Sequence, residues 1–363
     1  MKFSLFSDVQ NFYSILVEAL KRAERSITMM YYEFHAGEWA VEISRVLMEK
    51  QVAGVTVHLM VDEFGLLELP PLQAIQNRAL VDELAAAGVH VHIFHPKQIR
   101  TSNFNRLHFK ACAIDGRTLF LGGSDIADEY RYRQDLNLRA DGDLGSGFEE
   151  IFEYLVQSGE LASNGKGDEP PSNTNLPRLF VDESRAQVVL TVPDHRQEVR
   201  RQLLGLILTA NETIYICTKI FLPDQEIINT LLHQLKHGRR VNILLSDHTH
   251  TLFIDVANQV IIHKLVQAGA KVWRYAPEHM HSRACWNEQG TILFGSVNLD
   301  SKARIGNYEC SLLFKDQATA KQLQLKFEQD LIRSYPISLD TFSHKHWLQK
   351  VWVYLNLLAA TWL

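Results

Sequence analysis

The chain has 363 residues, of which 46% are hydrophobic and 22% charged, and its formal net charge is −5. These values are ordinary for a globular protein with two domains and a large core that needs no disulfides. The acidic balance argues against a dedicated nucleic-acid binder, whose domain is usually basic, although local basic clusters leave that class open. No run reaches the roughly 18 apolar residues that span a bilayer. We also find no apolar core of a signal peptide at the N-terminus.

Four cysteines are present, and no two of them form a CxxC pair. This spacing argues against a zinc knuckle or a dithiol redox motif. Each lies in an apolar, strand-like run, which predicts small buried thiols in a reducing compartment. The cysteines are Cys112, Cys217, Cys285 and Cys310.

The first half alternates between helical and strand-like patterns. Apolar residues with helical spacing, beginning at Phe12, predict the first helix, and β-branched and aromatic runs predict the strands. Glycines close two of the later helices. The predicted elements are a helix at 12–20, a strand at 26–34, a helix at 39–50, a strand at 55–61, a helix at 77–87 and a strand at 89–94.

The second half repeats this order of elements. Its predicted elements are a helix at 200–209, a strand at 213–218, a helix at 227–236, a strand at 241–245, a long helix ending at Gly269 and a strand at 271–275. Such alternation predicts an α/β fold with a parallel-rich sheet and helices on its faces.

The two halves also match in their residues. Gly88 follows alanine and precedes a strand, as Gly269 does, and Ala111-Cys112 corresponds to Ala284-Cys285. This indicates an internal duplication of about half the chain. We predict an N-terminal half at 1–157, a linker rich in Gly, Pro, Ser and Asn at 158–178, a C-terminal half at 179–345 and an apolar tail at 346–363.

A histidine motif lies in a strand-like segment of the first half. His108 and Lys110 are two residues apart and therefore share a face of a strand. An imidazole can attack phosphorus or move a proton near neutral pH, and a lysine supplies positive charge for phosphate oxygens. Asp115 completes the motif, but its opposite parity predicts a structural part. The turn Gly122-Gly123-Ser124-Asp125 follows, where a phosphate could approach the backbone.

The second half carries the same motif in a variant form. His281 is followed by Arg283 and Glu288 at the spacing of the first motif, and the turn is Gly295-Ser296-Val297-Asn298. Guanidinium retains the positive charge and glutamate retains the carboxylate. Two such motifs at matching places make a chance alternation on a strand a poor explanation.

These duplicated motifs resemble the signature of the phospholipase D superfamily, His-x-Lys-x4-Asp followed by Gly-Ser/Gly-x-Asn. The first copy departs at Asp125, and the second at Arg283 and Glu288. The resemblance covers nearly the whole chain and is strongest to bacterial cardiolipin synthases. It implies two duplicated phospholipase D-type α/β/α sandwich halves around one shared active site.

The resemblance also implies roles for the motif residues. One histidine forms a covalent phosphohistidine and the other acts as acid and base, and the intact first motif favours His108 as the nucleophile. The implied catalytic set is His108, Lys110, Asp115, His281, Arg283 and Glu288. The implied phosphate-binding residues are Gly123, Ser124, Asp125, Ser296 and Asn298. Asp135 and Glu309 would orient the imidazoles. The family needs no metal, and we expect neither a metal nor another cofactor.

The implied activity is transfer of a phosphatidyl group to an alcohol. Three other interpretations stay open: a phospholipase D hydrolase, a nuclease of the superfamily, and a phosphate-binding module whose second motif has degenerated. The expected partner is a phospholipid. We expect a cytoplasmic bacterial enzyme that makes peripheral contact with the inner face of the plasma membrane. The sequence does not fix head-group specificity or the oligomeric state.

Some further segments have two interpretations. The tail at 346–363, with three tryptophans, would pack as a core helix or lie at a membrane interface. The apolar segment at 64–71 would contact acyl chains or be buried. His279 beside His281, and the pair His248 and His250, suggest a metal pair or cleft residues, but loop positions explain them more simply.

Overall fold

The computed structural model describes residues 1–67, 70–94, 106–163, 186–192, 196–247, 252–277, 280–296, 299 and 307–339. The predicted tail at 346–363, most of the predicted linker, and His248, His250, His279 and Asn298 lie outside these residues. The chain divides into two compact units. Unit 1 comprises Met1–Val199, Phe294–Val297 and Lys302–Phe314, and unit 2 comprises Arg200–Leu293, Asn298–Ser301 and Lys315–Leu363.

The elements up to residue 163 are eight strands and five α-helices among the described residues, with one 3-10 helix. The strands are β1 (Lys2–Phe6), β2 (Ser26–Tyr31), β3 (Thr56–Asp62), β4 (His90–Phe94), β5 (Arg106–Leu107), β6 (Lys110–Ile114), β7 (Thr118–Gly122) and β8 (Asn137–Asp141). The helices are α1 (Val9–Lys21), α2 (Glu38–Val52), α3 (Glu63–Leu67), α4 (Pro71–Ala86), the 3-10 helix Asp128–Tyr132 and α5 (Leu144–Ser163).

The later elements follow the same alternation. The strands are β9 (Ala186–Val192), β10 (Arg196–Gln197), β11 (Thr213–Thr218), β12 (Arg240–Ser246), β13 (Lys271–Tyr275), β14 (Ala284–Asn287), β15 (Thr291–Gly295), β16 (Asn307–Lys315) and β17 (Ser334–Pro336). The helices are α6 (Glu198–Thr209), α7 (Gln225–Lys236), α8 (Leu252–Gln267) and α9 (Gln317–Leu331).

Unit 1 contains a seven-stranded sheet of order β1-β8-β7-β6-β2-β3-β4. The strands β2, β3 and β4 are parallel, whereas β6 pairs with β2 in the antiparallel sense. Helix α1 lies on this sheet because one of its faces is apolar, and Phe12, Leu16 and Leu20 are buried in the core. Asp8 caps the helix by accepting a hydrogen bond from the backbone N–H of Asn11 at 3.0 Å.

Unit 2 repeats the central pairing of that sheet. The strands β11, β12 and β13 are parallel, and β14 pairs with β11 in the antiparallel sense, as β6 does with β2. In unit 1, β16 pairs antiparallel with β9, as β8 does with β1. The duplicated α/β fold predicted from the sequence is therefore confirmed.

Four glycines end helices at corresponding places of the repeat. Gly54 and Gly238 follow α2 and α7, and Gly88 and Gly269 follow α4 and α8, each with a φ between 80° and 99°. A residue in this left-handed conformation stops a helix, and glycine adopts it without a steric penalty. The glycines thus direct the chain from each helix into the next parallel strand.

The structure agrees with the prediction for the cysteines and differs from two predicted segment boundaries. All four cysteines are buried and unpaired with one another, as predicted. Helix α5 extends to Ser163, so the beginning of the segment predicted as a linker is helical. The strand predicted through His108 is interrupted, because β5 ends at Leu107 and β6 begins at Lys110. Within the described residues, no helix is both long and apolar enough to cross a membrane.

Candidate active site

Backbone pairing places His108 beside β16. Strand β5 is parallel to β16, with Leu107 opposite Tyr308, and the N–H of His108 donates to the carbonyl of Tyr308 at 2.9 Å. One residue later the chain changes partner, since the carbonyl of Phe109 accepts from the N–H of Tyr32 at 2.9 Å. This change explains the break between β5 and β6. It also fixes His108 next to the residue that follows Tyr308.

That following residue, Glu309, contacts the imidazole of His108. The Nδ1 atom of His108 lies 2.9 Å from Oε1 and 3.0 Å from Oε2 of Glu309. The carboxylate is fully buried, whereas 14% of the His108 side chain is exposed. A carboxylate at Nδ1 fixes the tautomer and stabilises the imidazolium, so Nε2 is the nitrogen that would react.

Further hydrogen bonds hold Glu309 in place. The hydroxyl of Ser296 donates to Oε2 at 2.5 Å, and the amide of Asn307 lies 3.4 Å from Oε1. Hydrogen bonds to a charged group are about twice as strong as neutral ones. Ser296, which was predicted to bind phosphate, therefore contacts the carboxylate of Glu309 and helps to orient it toward His108. Asn298, predicted in the same turn, lies outside the described residues.

The lysine of the first motif forms a buried ion pair. Lys110 Nζ lies 3.0 Å from Asp125 Oδ2, with side chains 0% and 1% exposed. The ring centroid of Tyr32 lies 5.0 Å from the same ammonium group, and the His108 carbonyl is 3.4 Å away. Each charge keeps the other in place, because separating the pair would leave an unpaired charge in the protein interior at a high cost in free energy. Asp125, predicted to bind phosphate, therefore faces the cation.

Asp125 has additional partners that the sequence did not reveal. It accepts hydrogen bonds from the N–H of Glu33 at 2.9 Å and from the hydroxyl of Tyr130 at 3.1 Å. The same hydroxyl lies 3.0 Å from Glu33 Oε2. Burial, and then the charge of Asp125, raise the pKa of Glu33 to about 7. The sequence offered one sign that Glu33 belongs to the site: it is a charged residue at the end of a buried strand run, and such strand ends often carry functional groups.

The first turn forms a hydrogen-bonded cluster around Asp135. The hydroxyl of Ser124 donates to Asp135 Oδ2 at 3.0 Å and accepts from the amide of Asn137 at 2.9 Å. Gly123 lies so close that a Cβ there would overlap the Asp135 carboxylate. Ser124 and Asp135 thus match Ser296 and Glu309 of the repeat, and in both pairs the serine binds the acid predicted to orient a histidine.

The acidic residue that ends each motif anchors a loop. Asp115 accepts from the backbone N–H groups of Arg25 at 2.7 Å and Ser26 at 3.1 Å. Its φ is 56°, a left-handed conformation that places it in the turn between β6 and β7. Burial alone would raise the pKa of Asp115, but the backbone hydrogen bonds lower it. The carboxylate therefore has the structural part that its parity predicted.

Glu288 has the corresponding role in unit 2. It accepts from the backbone N–H of Asn211 at 2.8 Å and of Thr213 at 3.0 Å. These bonds lower the pKa of Glu288 although its partial burial acts in the opposite direction. Both residues were included in the predicted catalytic set, and in the structure they connect their motifs to the loops before β2 and β11.

In unit 2, His281 and Arg283 are buried neighbours. Arg283 Nη2 lies 2.9 Å from His281 Nε2. Because guanidinium can only donate, Nε2 is the acceptor and the imidazole proton lies on Nδ1 in this arrangement. The histidine and the arginine of the second motif are thus in contact, and the arginine donates directly to a ring nitrogen of the histidine.

Comparison with known proteins identifies the family. The family model described as cardiolipin synthase, PLD-like domain, matches residues 16–155 and 203–331. The chain belongs to this family. It is therefore an enzyme of the phospholipase D superfamily, as the duplicated motifs indicated. Each half of the repeat contains one matched segment.

Similar proteins include several cardiolipin synthases. The cardiolipin synthase of Clostridium perfringens (strain 13 / Type A) is 26% identical over 362 residues, which cover 96% of this chain and 74% of that protein. The major cardiolipin synthase of Bacillus subtilis (strain 168) is 25% identical over 366 residues, covering 96% and 72%.

Solved structures share the fold. A phosphatidylserine synthase of Haemophilus influenzae Rd KW20 has a TM-score of 0.78 at 16% identity, covering 99% of this chain and 94% of that one. A polyphosphate kinase of Porphyromonas gingivalis has a TM-score of 0.63 at 15% identity, covering 93% and 49%. At these identities the likeness concerns the fold alone.

Proposed function

We propose that the chain is a phosphatidyltransferase of the cardiolipin synthase type, which passes a phosphatidyl group to an alcohol through a phosphohistidine at His108. The observation that carries this proposal is the buried Glu309 carboxylate at 2.9 Å from His108 Nδ1. It keeps Nε2 basic for attack and balances the positive charge of the phosphorylated ring. The similar cardiolipin synthases suggest the phospholipid substrate.

The first proposed step forms a phosphohistidine. Nε2 of His108 attacks the phosphorus of the phospholipid diester, and the bond from phosphorus to the head-group oxygen breaks. His281, the counterpart in the repeat, would act here as an imidazolium: with Arg283 drawn onto a phosphate oxygen, Nε2 is protonated and gives this proton to the leaving oxygen, which leaves the ring neutral. In the second step His281 accepts the proton of the incoming alcohol, whose oxygen attacks phosphorus and releases His108.

Positive charge from both motifs would stabilise the transition state. We propose that Lys110 and Arg283 contact the non-bridging oxygens, where preorganised cations act most strongly in a site without water. Asp125 holds Lys110 at 3.0 Å and so fixes its position. We assign Asp125, Ser124 and Ser296 to positioning other side chains, because their polar atoms contact protein groups in the structure.

An exposed apolar surface supports the proposed contact with a membrane. Four side chains of α3 and α4 are exposed: Phe64 by 39%, Leu67 by 50%, Leu72 by 70% and Ile75 by 66%. Helices α3 and α4 contact each other, and exposed apolar side chains on such helices suit the interface of a phospholipid bilayer.

Asp62 connects this surface to the histidine segment. Its carboxylate accepts from the N–H of Phe64 at 2.9 Å and from the N–H of Leu107 at 2.7 Å. The residue before His108 and the first exposed residue of α3 therefore share one anchor. Co-sedimentation with phosphatidylglycerol vesicles tests the membrane contact: Leu67→Ser should weaken it, whereas Leu325→Ser, at 51% exposed, should not.

The decisive assay is lipid turnover. Purified full-length protein would be incubated with phosphatidylglycerol vesicles and, separately, with single-stranded DNA, both with a chelator. Cardiolipin and glycerol as products would support the transferase, whereas phosphatidic acid would indicate the hydrolase. DNA cleavage without lipid turnover would refute the lipid proposal in favour of a nuclease. No turnover of either substrate would favour the binding module.

Variants test the mechanism within the same assay. His108→Ala should abolish turnover and the covalent adduct trapped by rapid quenching with labelled phospholipid. His237→Ala, in which an exposed histidine at the end of α7 is replaced, is the matched control and should retain both. Turnover by folded His108→Ala at the wild-type rate would contradict the mechanism.

A further inference from the structure

A cluster of three ligand-type side chains lies beyond β2, behind Asp125. Glu33 and His35 follow the end of β2, and Glu129 lies in the 3-10 helix Asp128–Tyr132. One nitrogen or oxygen atom from each lies within 4.8 Å of the others. We propose that these three side chains bind a divalent transition-metal ion of the zinc class.

The distances suit shared ligands better than direct hydrogen bonding. His35 Nδ1 lies 3.9 Å from Glu129 Oε1, which is too long for a hydrogen bond. Two ligands of a tetrahedral zinc ion, at metal distances near 2.1 Å, lie about 3.4 Å apart. A closure of about half an ångström would therefore bring this pair to a metal, and the half-exposed Glu129 has room to make it.

The tautomer of His35 directs a lone pair into the cluster. Nε2 lies 3.1 Å from the carbonyl oxygen of Gly65, which can only accept, so the ring proton belongs on Nε2. Nδ1 then presents its lone pair to the carboxylates. A metal-binding histidine usually donates its second N–H to a carbonyl or carboxylate in this way. His35 is only 6% exposed, so its orientation is fixed by packing.

The backbone around the cluster is also held. The N–H of His35 donates to the carbonyl of Ile126 at 2.9 Å, and the N–H of Glu33 donates to Asp125 at 2.9 Å. The Tyr130 hydroxyl lies 3.0 Å from Glu33 Oε2 and orients that carboxylate. Two of the three ligands are thus preorganised. The third, Glu129, is 47% exposed and gives an ion access from solvent.

One histidine with two carboxylates favours a borderline ion, because imidazole suits zinc and carboxylates suit most divalent ions. Arg133 competes, since its guanidinium lies 3.6 Å from Glu129 Oε1. The competing explanation is therefore a set of ion pairs among Glu129, Arg133 and a protonated His35. We expected no metal, because the resemblance implied none. Residue 129 is far from residues 33 and 35 along the chain, so the sequence does not show that these side chains meet.

Zinc titration of the full-length chain separates these explanations. Chelator-treated protein would be titrated with zinc chloride by calorimetry, and its melting temperature measured with and without zinc. The wild type should bind one more zinc ion than Glu129→Gln, or bind it at least about 10-fold more tightly, and zinc should raise its melting temperature more. Glu212→Gln, at 70% side-chain exposure, is the matched control and should behave as the wild type.

The substitution Glu129→Gln is suited to this test because Glu129 is half-exposed, so folding should be retained. His35→Gln, checked by circular dichroism, is the second variant and should show the same loss. Equal zinc stoichiometry and affinity in the wild type and Glu129→Gln would overturn the metal site. The result is independent of lipid turnover, which is assayed with chelator, so either proposal can fail alone.

Discussion

Replacing Glu309 by glutamine removes the charge next to His108 and keeps the shape of the side chain. At 3.0 Å and an effective dielectric constant of 20, the attraction between carboxylate and imidazolium is about 5.5 kcal/mol. Desolvation offsets much of this, and a hydrogen bond to a charged group contributes about 1.5–3 kcal/mol net. We therefore expect kcat for lipid turnover to fall by about 10- to 100-fold in Glu309→Gln.

The folded state should not suffer in the same way. The glutamine carbonyl can still accept from Ser296 and His108, and the imidazole can become neutral, so no unpaired charge is left in the interior. Urea unfolding should therefore give a free energy close to that of the wild type. The acidic limb of the pH–rate profile should move to lower pH, because the imidazolium loses its partner.

Matched variants make this prediction specific. Glu212→Gln changes an exposed carboxylate and should keep wild-type turnover. Asp135→Asn is the counterpart in the first turn, and a comparable fall there would support a second oriented histidine. If folded Glu309→Gln turned over lipid at the wild-type rate and pH optimum, the proposed role of the carboxylate would be refuted.

Three further predictions concern stability and local geometry. Asp115→Ala should lower the free energy of unfolding by about 1–3 kcal/mol in urea, because backbone N–H groups lose their acceptor, and an unchanged value would contradict the anchoring role. Burial, then His90 and His92, lower the pKa of His58 to about 4, so the folded state disfavours its protonation. Stability should therefore fall between pH 6.5 and 4 by on the order of 1 kcal/mol after solvent screening, and His58→Phe should remove this part of the pH dependence. Gly123→Ala should cost about 1–3 kcal/mol and reduce turnover, since its Cβ would displace Asp135; wild-type melting and turnover would argue against the tight packing.

The repeat could be predicted because its signals are local. Strand-like runs and helical spacing predicted the order of the elements. The helix ends were marked by glycines, which adopt the left-handed conformation that stops a helix, and this requirement is local: Gly54, Gly88, Gly238 and Gly269. The predicted strand at 213–218 agrees with β11. The break between β5 and β6 was not predictable, because it depends on a change of partner from Tyr308 to Tyr32.

The site could be predicted only where a motif named its residues. Glu309 was identified from the resemblance, and the structure places it at His108 Nδ1. Asp125 was expected to bind phosphate, but its contact with Lys110 depends on how the turn folds back onto β6. Glu33 and Tyr130 belong to no motif. The contact between Glu33 and Asp125 joins segments about 90 residues apart, and Tyr130 reaches Asp125 only because the chain turns between them.

The two motifs differ in what balances their cations, and this difference supports unequal roles for the histidines. In the first motif Asp125 holds the lysine, and Glu309 holds Nδ1 of His108, which suits a nucleophile acting through Nε2. In the second motif Arg283 donates to Nε2 of His281. Nε2 of His281 can take a proton only when this hydrogen bond is given up. A phosphate oxygen that draws Arg283 away would free Nε2 of His281 for both proton transfers of the proposed reaction. In this proposal, substrate binding would therefore control when His281 can transfer a proton.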